Sequence, residues 1–389
     1  MTGAFPSEIH IPDKVLSGKN GVLEFPGKAA SFGSRGVIVH GASVEKNGLK
    51  SSLVPLLKKA GVETAWFCRG KAHPHALQEA SVQEIRDVIA LGKNTNARWI
   101  AGIGGGSVLD LAKAAAGLYH AHEDPVYYQE GGKLTEKGIP FLAVPTTAGS
   151  GSEATLNAVI INPGKKVKLS IRHPAFLAAG VILDPELLKT VPESVMAHSG
   201  MDALVQAYES YTSKNATLFT ETLALRAIEM IGASLIPAAK PAPTDIQPTR
   251  LDIGERDKAL HDMLFASFLA GLAFSHSRLG VIHGIAHSLG VLYGVPHGLV
   301  CAACFIPSIK MNREAMGEKY ARMSRALGGD LTEKITTLQT ALGITSPFKG
   351  KPVIEKEKII AETLRSGSTA ANPKPVERED VEFLLGELF

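Results

Sequence analysis

The segment Arg278-Leu-Gly-Val-Ile-His283-Gly-Ile-Ala-His287-Ser-Leu-Gly, followed by Pro296-His297-Gly298, gathers the side chains best suited to do chemistry in this chain. His283 and His287 stand four positions apart in an apolar, helix-compatible run, so their imidazoles share one helix face, stacked a turn apart. His297 follows Pro296 at the expected start of the next helix. Imidazoles at this density serve as metal ligands or proton relays; the alternative is a set of buried, hydrogen-bonded core histidines. Upstream, Ser199-Gly-Met-Asp202-Ala-Leu-Val-Gln206-Ala-Tyr-Glu209 reads as an amphipathic helix with Asp202 and Gln206 on one face. A carboxylate on an otherwise apolar face is costly to bury unless it is paired or metal-bound. Asp202, His283 and His297 offer one oxygen and two imidazoles from separate segments, a workable set for Zn²⁺ or Fe²⁺. An Asp–His ion pair that closes the helix packing is the alternative. Cys301-Ala-Ala-Cys304 lies in an apolar helical run with no second cysteine pair, so it reads as two small core residues rather than a zinc or redox motif.

The elements that must position these groups are legible in outline. At 389 residues, 45% hydrophobic and 20% charged, the chain is long enough for two well-filled cores and is composed like a globular enzyme. Its net charge is only +3, with both signs interspersed, which argues against a nucleic-acid partner. The opening Met-Thr-Gly-Ala-Phe-Pro-Ser-Glu lacks the basic and apolar regions of a signal peptide, and no apolar run approaches a membrane span. Cys68, Cys301 and Cys304 form an odd, sparse set, typical of a reducing compartment. The expectation is a cytoplasmic protein that acts on a small molecule, without a membrane partner.

Residues 36–40, 64–67 and 98–101 read as strands, alternating with helices at 45–60 and 77–91. That alternation means a parallel sheet with ligands at the strands' carboxyl ends. The third strand runs into Gly102-Ile-Gly104-Gly105-Gly106-Ser107-Val-Leu-Asp110-Leu-Ala-Lys113. Glycines at a strand-to-helix turn let backbone N–H groups approach a phosphate, and the helix dipole behind them favours an anion. The spacing matches neither a P-loop nor GxGxxG, and a turn that serves packing alone is the competing reading. A strand at 141–145 ends in Thr146-Thr147-Ala148-Gly149-Ser150-Gly151-Ser152-Glu153, a second polar rim suited to the rest of a dinucleotide. Residues 158–161 and 180–184 are further strands, with Lys165, Lys166 and Lys168 between them. From Pro185 onward the pattern is helical, with a loop at 237–256 and a long apolar helix at 257–275. The expected fold class is an α/β half with a Rossmann-like parallel sheet whose polar rims suit a dinucleotide, residues 1–185, followed by an all-helical half, residues 186–389.

Gly104-Gly-Gly-Ser-Val-Leu-Asp-Leu-Ala-Lys113, Pro145-Thr-Thr-Ala-Gly-Ser-Gly-Ser-Glu153, Leu183-Asp-Pro-Glu186, Gly200-Met-Asp-Ala203 and the histidine segment together resemble the iron-containing (group III) alcohol dehydrogenases, relatives of glycerol dehydrogenase and dehydroquinate synthase. The resemblance runs over nearly the whole chain. It implies a dehydroquinate synthase-like fold, a catalytic metal in the cleft between the domains, and homodimers or larger assemblies. Residue by residue, it implies that Gly105, Gly106, Ser107 and Asp110 hold the cofactor pyrophosphate region. Thr146, Thr147 and Ser150 would line the nicotinamide side, with Val159, Lys168 and Leu187 nearby. Asp202, His283 and His297 would ligate the metal, and His287 would sit near the nicotinamide and the substrate oxygen, able to relay a proton.

Three departures from the family pattern bear on function. Gln206 stands where many members carry a histidine ligand; an amide oxygen is a weaker donor, although the glycerol dehydrogenase branch manages with one Asp and two His. The turn His40-Gly41-Ala42-Ser43 lacks the acid that would repel a 2′-phosphate, and Ser43 and Lys46 could attract one, so NADP is expected over NAD. His73, where many relatives have Asn, remains a candidate cofactor contact. Ser275-His276-Ser277-Arg278 replaces small or amide residues; Arg278 and His276 would favour a carboxylate or phosphonate on the substrate, unless Arg278 pairs with an acid of its own domain. The expected enzyme is an NAD(P)-dependent alcohol dehydrogenase or aldehyde reductase. A metal-independent reductase of the maleylacetate reductase type and a dehydroquinate synthase-like cyclase are the alternatives.

Overall fold

The computed structural model describes residues 5–70, 79–164, 167–240 and 250–389. The chain divides into two compact units: His10–Thr147 with Ser152–Val191, and chiefly Pro192–Phe389 with the short Ala148–Gly151. The first holds a six-stranded sheet of β1 (Val15–Ser17), β2 (Arg35–His40), β3 (Glu63–Cys68), β4 (Trp99–Gly104), β5 (Phe141–Pro145) and β8 (Gly180–Leu183). Its strand order is β1-β8-β5-β4-β2-β3, and every neighbouring pair is parallel. Central strands buried on both faces need continuous apolar runs, which Val37, Ile38 and Val39 of β2 and Ile100, Ala101 and Ile103 of β4 supply. Phe25, Leu53, Leu57, Trp99 and Val144 complete one core. β6 (Asn157–Asn162) and β7 (Val167–Arg172) do not join this sheet but form an antiparallel hairpin, so the expected strand at 158–161 belongs to a separate ribbon.

The Gly-rich turn closes tightly. A Cβ on Gly104 would come within 2.7 Å of Val108, so the helix Gly106–Gly117 can begin directly against the end of β4 only because that residue is glycine. Inside this helix Lys113 is fully buried, and its ammonium donates to the Ser152, Thr155 and Asn157 carbonyls and to the Thr155 hydroxyl. Asp110 lies 3.8 Å from Lys113 and accepts from Ser152 Oγ at 2.5 Å and from the Val159 amide at 3.1 Å. Two residues of one helix thereby pin the chain that leaves the second polar rim. Burial lowers the Lys113 pKa to about 8 and raises that of the neighbouring Glu153 to about 7.

Several sequence expectations are corrected. The helix expected at 45–60 is two helices, Ala42–Lys46 and Leu49–Lys59, because Gly48 takes a left-handed conformation (φ 75°) between them. The helix expected from residue 77 is Val82–Asn94, started by a Ser81–Glu84 capping box; residues 71–78, His73 among them, lie outside the described residues, as do Lys165 and Lys166. The loop at 237–256 is partly helical at both ends, since Leu218–Ala239 runs through Pro237 and Arg250–Ser277 begins before residue 257. Leu218–Ala239 is also long and apolar enough to cross a membrane, contrary to the expectation that no run approaches that length. It packs against the helices Glu193–Thr212 and Arg250–Ser277, burying Ala224, Ala227, Ile228, Ile231 and Leu235, which is the behaviour of a core helix.

The raised Glu153 pKa fixes a sign. The folded chain holds this proton more tightly than the unfolded chain, so the contribution to stability is greatest below about pH 4.5 and is lost as pH rises toward 7. Urea titrations of the wild type and Glu153→Gln across that range should diverge by roughly 1 kcal/mol per pH unit, the variant being flatter. Parallel curves would remove Glu153 from the account.

Candidate active site

The second unit is helical, and its site is built by three helices. Glu193–Thr212 is buried nearly all round from Gly200 to Thr212, which places Asp202, Gln206 and Glu209 in the interior. Val281–Tyr293 supplies His283 and His287, and His297–Met316 supplies His297 and Cys301. Gly298 lets the last of these helices start against the first: a Cβ there would fall 2.4 Å from the His198 carbonyl oxygen. That close approach sets His297 beside Asp202.

Asp202 Oδ1 lies 3.4 Å from His283 Nε2 and 3.9 Å from His297 Nε2. Cys301 Sγ lies 4.0 Å and 3.6 Å from the same two nitrogens. The four donor atoms all fall within 4.8 Å of one another, and three of the four residues are buried. Gln206 Nε2 donates to Asp202 Oδ2 at 3.0 Å, holding one carboxylate oxygen so that the other faces the imidazoles. Among the described residues, neither Asp202 Oδ1 nor Gln206 Oε1 has a hydrogen-bond partner. A buried carboxylate oxygen without a donor, facing two imidazole nitrogens and a thiol, is the arrangement a divalent cation completes. The donor set fits zinc or ferrous iron.

Glu209 orients the site from behind. It accepts from His283 Nδ1 at 2.6 Å and from the Ile282 amide at 2.7 Å, so one carboxylate caps the N-terminus of the histidine helix and fixes the imidazole with Nε2 toward Asp202. Burial alone would lower the His283 pKa, but Cys301, Glu209 and Asp202 outweigh it and hold it well above the usual value. For Asp202 burial is likewise overcome, by His283 and His297, and its pKa stays below the ordinary one. Burial pushes the Cys301 thiol up to about 12. The His287 ring is half-buried, its centroid 5.4 Å from that of His297, so the three imidazoles form one group.

The expected cofactor residues cluster in the α/β unit. Gly41 caps the short helix that carries Ser43, directly after β2. Gly105 and Gly106 open the helix behind β4, and Thr147 lies over Gly105. Thr146 donates its amide to the Gly104 carbonyl at 3.0 Å. Val159 lies on β6, Leu187 packs on the α/β core, and Lys168 pairs with Glu79 at 2.7 Å. Ser150 falls in Ala148–Gly151, with the helical unit. Asp110 is committed to the buried network described above. His276 shares a hydrogen bond with the Leu272 carbonyl at 2.8 Å and meets the Phe219 ring edge-on, and Arg278 is exposed beside Gly367 with φ 66°.

Three residues escaped the sequence reading. Cys301 is no mere core filler; it faces the imidazoles of His283 and His297, while Cys304 is buried outside that group. Glu209 was visible only as the end of an amphipathic run. Arg69, just past β3, donates from Nη1 to Ser107 Oγ at 3.2 Å and brings a guanidinium to the Gly-rich turn. If Glu209 sets the His283 tautomer, Glu209→Gln should weaken metal binding by about 10- to 100-fold in a chelator competition. An unchanged affinity would reduce Glu209 to a helix cap.

Residues 12–185 match the family described as iron-containing alcohol dehydrogenase, and residues 196–389 match its C-terminal region. A probable alcohol dehydrogenase, EutG, of Escherichia coli (strain K12) is 32% identical over 319 residues, 82% of this chain and 76% of its own. The sulfoacetaldehyde reductase of Bilophila wadsworthia (strain 3_1_6) is 33% identical over 319 residues, 82% of this chain and 78% of its own. Among solved structures, an alcohol dehydrogenase from Oenococcus oeni superposes with a TM-score of 0.89 at 28% identity, covering 98% of this chain and all (100%) of its own. With both halves of its sequence matched, the chain belongs to the iron-containing alcohol dehydrogenase family.

Proposed function

We propose that this protein transfers hydride between a nicotinamide dinucleotide and a small aldehyde or alcohol that carries an acidic group. The observation that carries the reading is the buried Asp202 oxygen, without a hydrogen-bond donor, among His283, His297 and Cys301. When bound, the nicotinamide supplies the hydride and the metal polarises the substrate carbonyl. Asp202, His283 and His297 would hold the metal, with Gln206 and Glu209 fixing the first two. His287, half-buried beside His297, would return a proton to the substrate oxygen.

The α/β unit supports the cofactor assignment. Gly105, Gly106 and Ser107 open a helix at the carboxyl end of a central parallel strand, where a pyrophosphate would meet backbone N–H groups, and Arg69 adds positive charge. Gly41 and Ser43 follow β2 with no acid between them, which favours NADP over NAD. Thr146, Thr147, Ser150, Val159, Lys168 and Leu187 are proposed to contact the remainder; His73, outside the described residues, is a further candidate by its sequence position alone. Zinc or iron as the metal, a homodimer or larger assembly, and a cytoplasmic location in keeping with three free cysteines are parts of the same proposal.

The acidic group is assigned to Arg278, with His276 as a secondary candidate. Arg278 holds a left-handed backbone that costs a non-glycine residue about 1 kcal/mol, a strain that tends to persist where a side chain is needed. The similarity to a sulfoacetaldehyde reductase points the same way. A metal-independent reductase is kept as the second reading because Gln206 already gives Asp202 a partner.

Two measurements decide. Protein purified without chelator should contain Zn or Fe and consume NADPH in the presence of an acidic aldehyde, with activity lost on chelation and restored by the metal; metal-free turnover would establish the second reading instead. Arg278→Gly, which relieves the backbone, should raise KM for an acidic aldehyde by about 10- to 100-fold and leave a neutral one almost unchanged. Equal effects on both would sink the assignment.

A further inference from the structure

We propose that Cys301 is the fourth ligand of the metal centre, its thiolate a stronger donor than the Gln206 amide oxygen, that this sulfur makes the centre a zinc site, and that the substrate oxygen would enter as a fifth donor. The inference rests on the reading of the Asp202 cluster as a metal centre. Zinc bonds of about 2.0–2.3 Å set the edges of a tetrahedral donor set at roughly 3.3–3.6 Å. The edges between Asp202 and the two imidazoles are 3.4 and 3.9 Å, and those between Cys301 and the imidazoles are 4.0 and 3.6 Å. Of the six edges of the donor set these four lie between the tetrahedral spacing and about half an ångström above it, and all six are within 4.8 Å. Cys301 is therefore placed as the other donors are, and a small contraction would close the set.

The helix explains why. Cys301 lies one turn beyond His297, so the two side chains leave the same face of His297–Met316 and reach the same point. Gln206, one turn beyond Asp202, donates its amide nitrogen to Asp202 Oδ2 and positions that carboxylate, while its neutral amide oxygen is a weaker metal donor than the Cys301 thiolate. On metal binding the Cys301 S–H bond breaks, an S–metal bond forms and the proton leaves to solvent; no oxidation state changes. A thiolate is a soft donor and biases a mixed nitrogen and oxygen set toward zinc and away from ferrous iron.

The test uses the full-length protein, stripped with chelator and reloaded with Co²⁺. Thiolate bound to Co²⁺ gives an intense near-ultraviolet charge-transfer absorption that nitrogen and oxygen donors do not. The wild type should show it at stoichiometric Co²⁺, Gln206→Ala should keep it, and Cys301→Ser should bind Co²⁺ more weakly without it. In anaerobic competition, Cys301→Ser should also narrow the preference for Zn²⁺ over Fe²⁺ by about tenfold. Stoichiometric Co²⁺ without the absorption would overturn the cysteine ligand and leave the metal centre standing. Failure to retain Co²⁺ at all would overturn both, and an unchanged zinc preference in Cys301→Ser would overturn the zinc assignment.

Discussion

A buried carboxylate that must satisfy an imidazole and a helix terminus together is the constraint on which the helical unit turns. Glu209 accepts from His283 Nδ1 and from the Ile282 amide, and both bonds run between separate helices. The charge sits at the positive end of the histidine helix, which offsets part of the cost of its burial. One carboxylate thus holds the helix start with Oε1 and the imidazole with Oε2, and rotating the ring would cost the second of these bonds. The site's geometry and the local fold are then one arrangement.

The α/β unit uses a buried cation for a similar end. Lys113 collects carbonyls from the chain that follows the second polar rim, and Asp110 binds Ser152 and Val159 within the same network. These bonds offset part of the conformational entropy that a glycine-rich stretch loses on being ordered. Polar groups that read as ligand contacts are thus partly spent on holding the backbone that would make the contacts.

How far the sequence revealed all this depended on the range of each interaction. The parallel strands and the Gly-rich turn were legible because strand-to-helix alternation and close packing at Gly104 are local. The pairing of β6 with β7 was not, since a buried apolar run does not name its neighbour. Asp202 and the histidines were legible from the cost of burying charge and from helical spacing. The same arguments could have found the other two partners: Glu209 is a second carboxylate on that buried helix, and Cys301 stands one turn after His297. The short spacing of Cys301 and Cys304 points instead to two small core residues, a local pattern that hides the three-dimensional one. Arg69 carried no local signal, because its partner Ser107 is distant in sequence and near only through the order of the strands.

The left-handed backbone at Arg278 has an evolutionary consequence. Its geometry suits glycine, so exchange of arginine for glycine at this turn demands no rearrangement and relieves backbone strain of about 1 kcal/mol, and the reverse exchange restores it. A lineage could acquire or discard a guanidinium here by single substitutions, at nearly constant fold stability. Selectivity for charge at this turn would then drift faster than Asp202 and His283, which are tied to Gln206 and to the Glu209 helix cap.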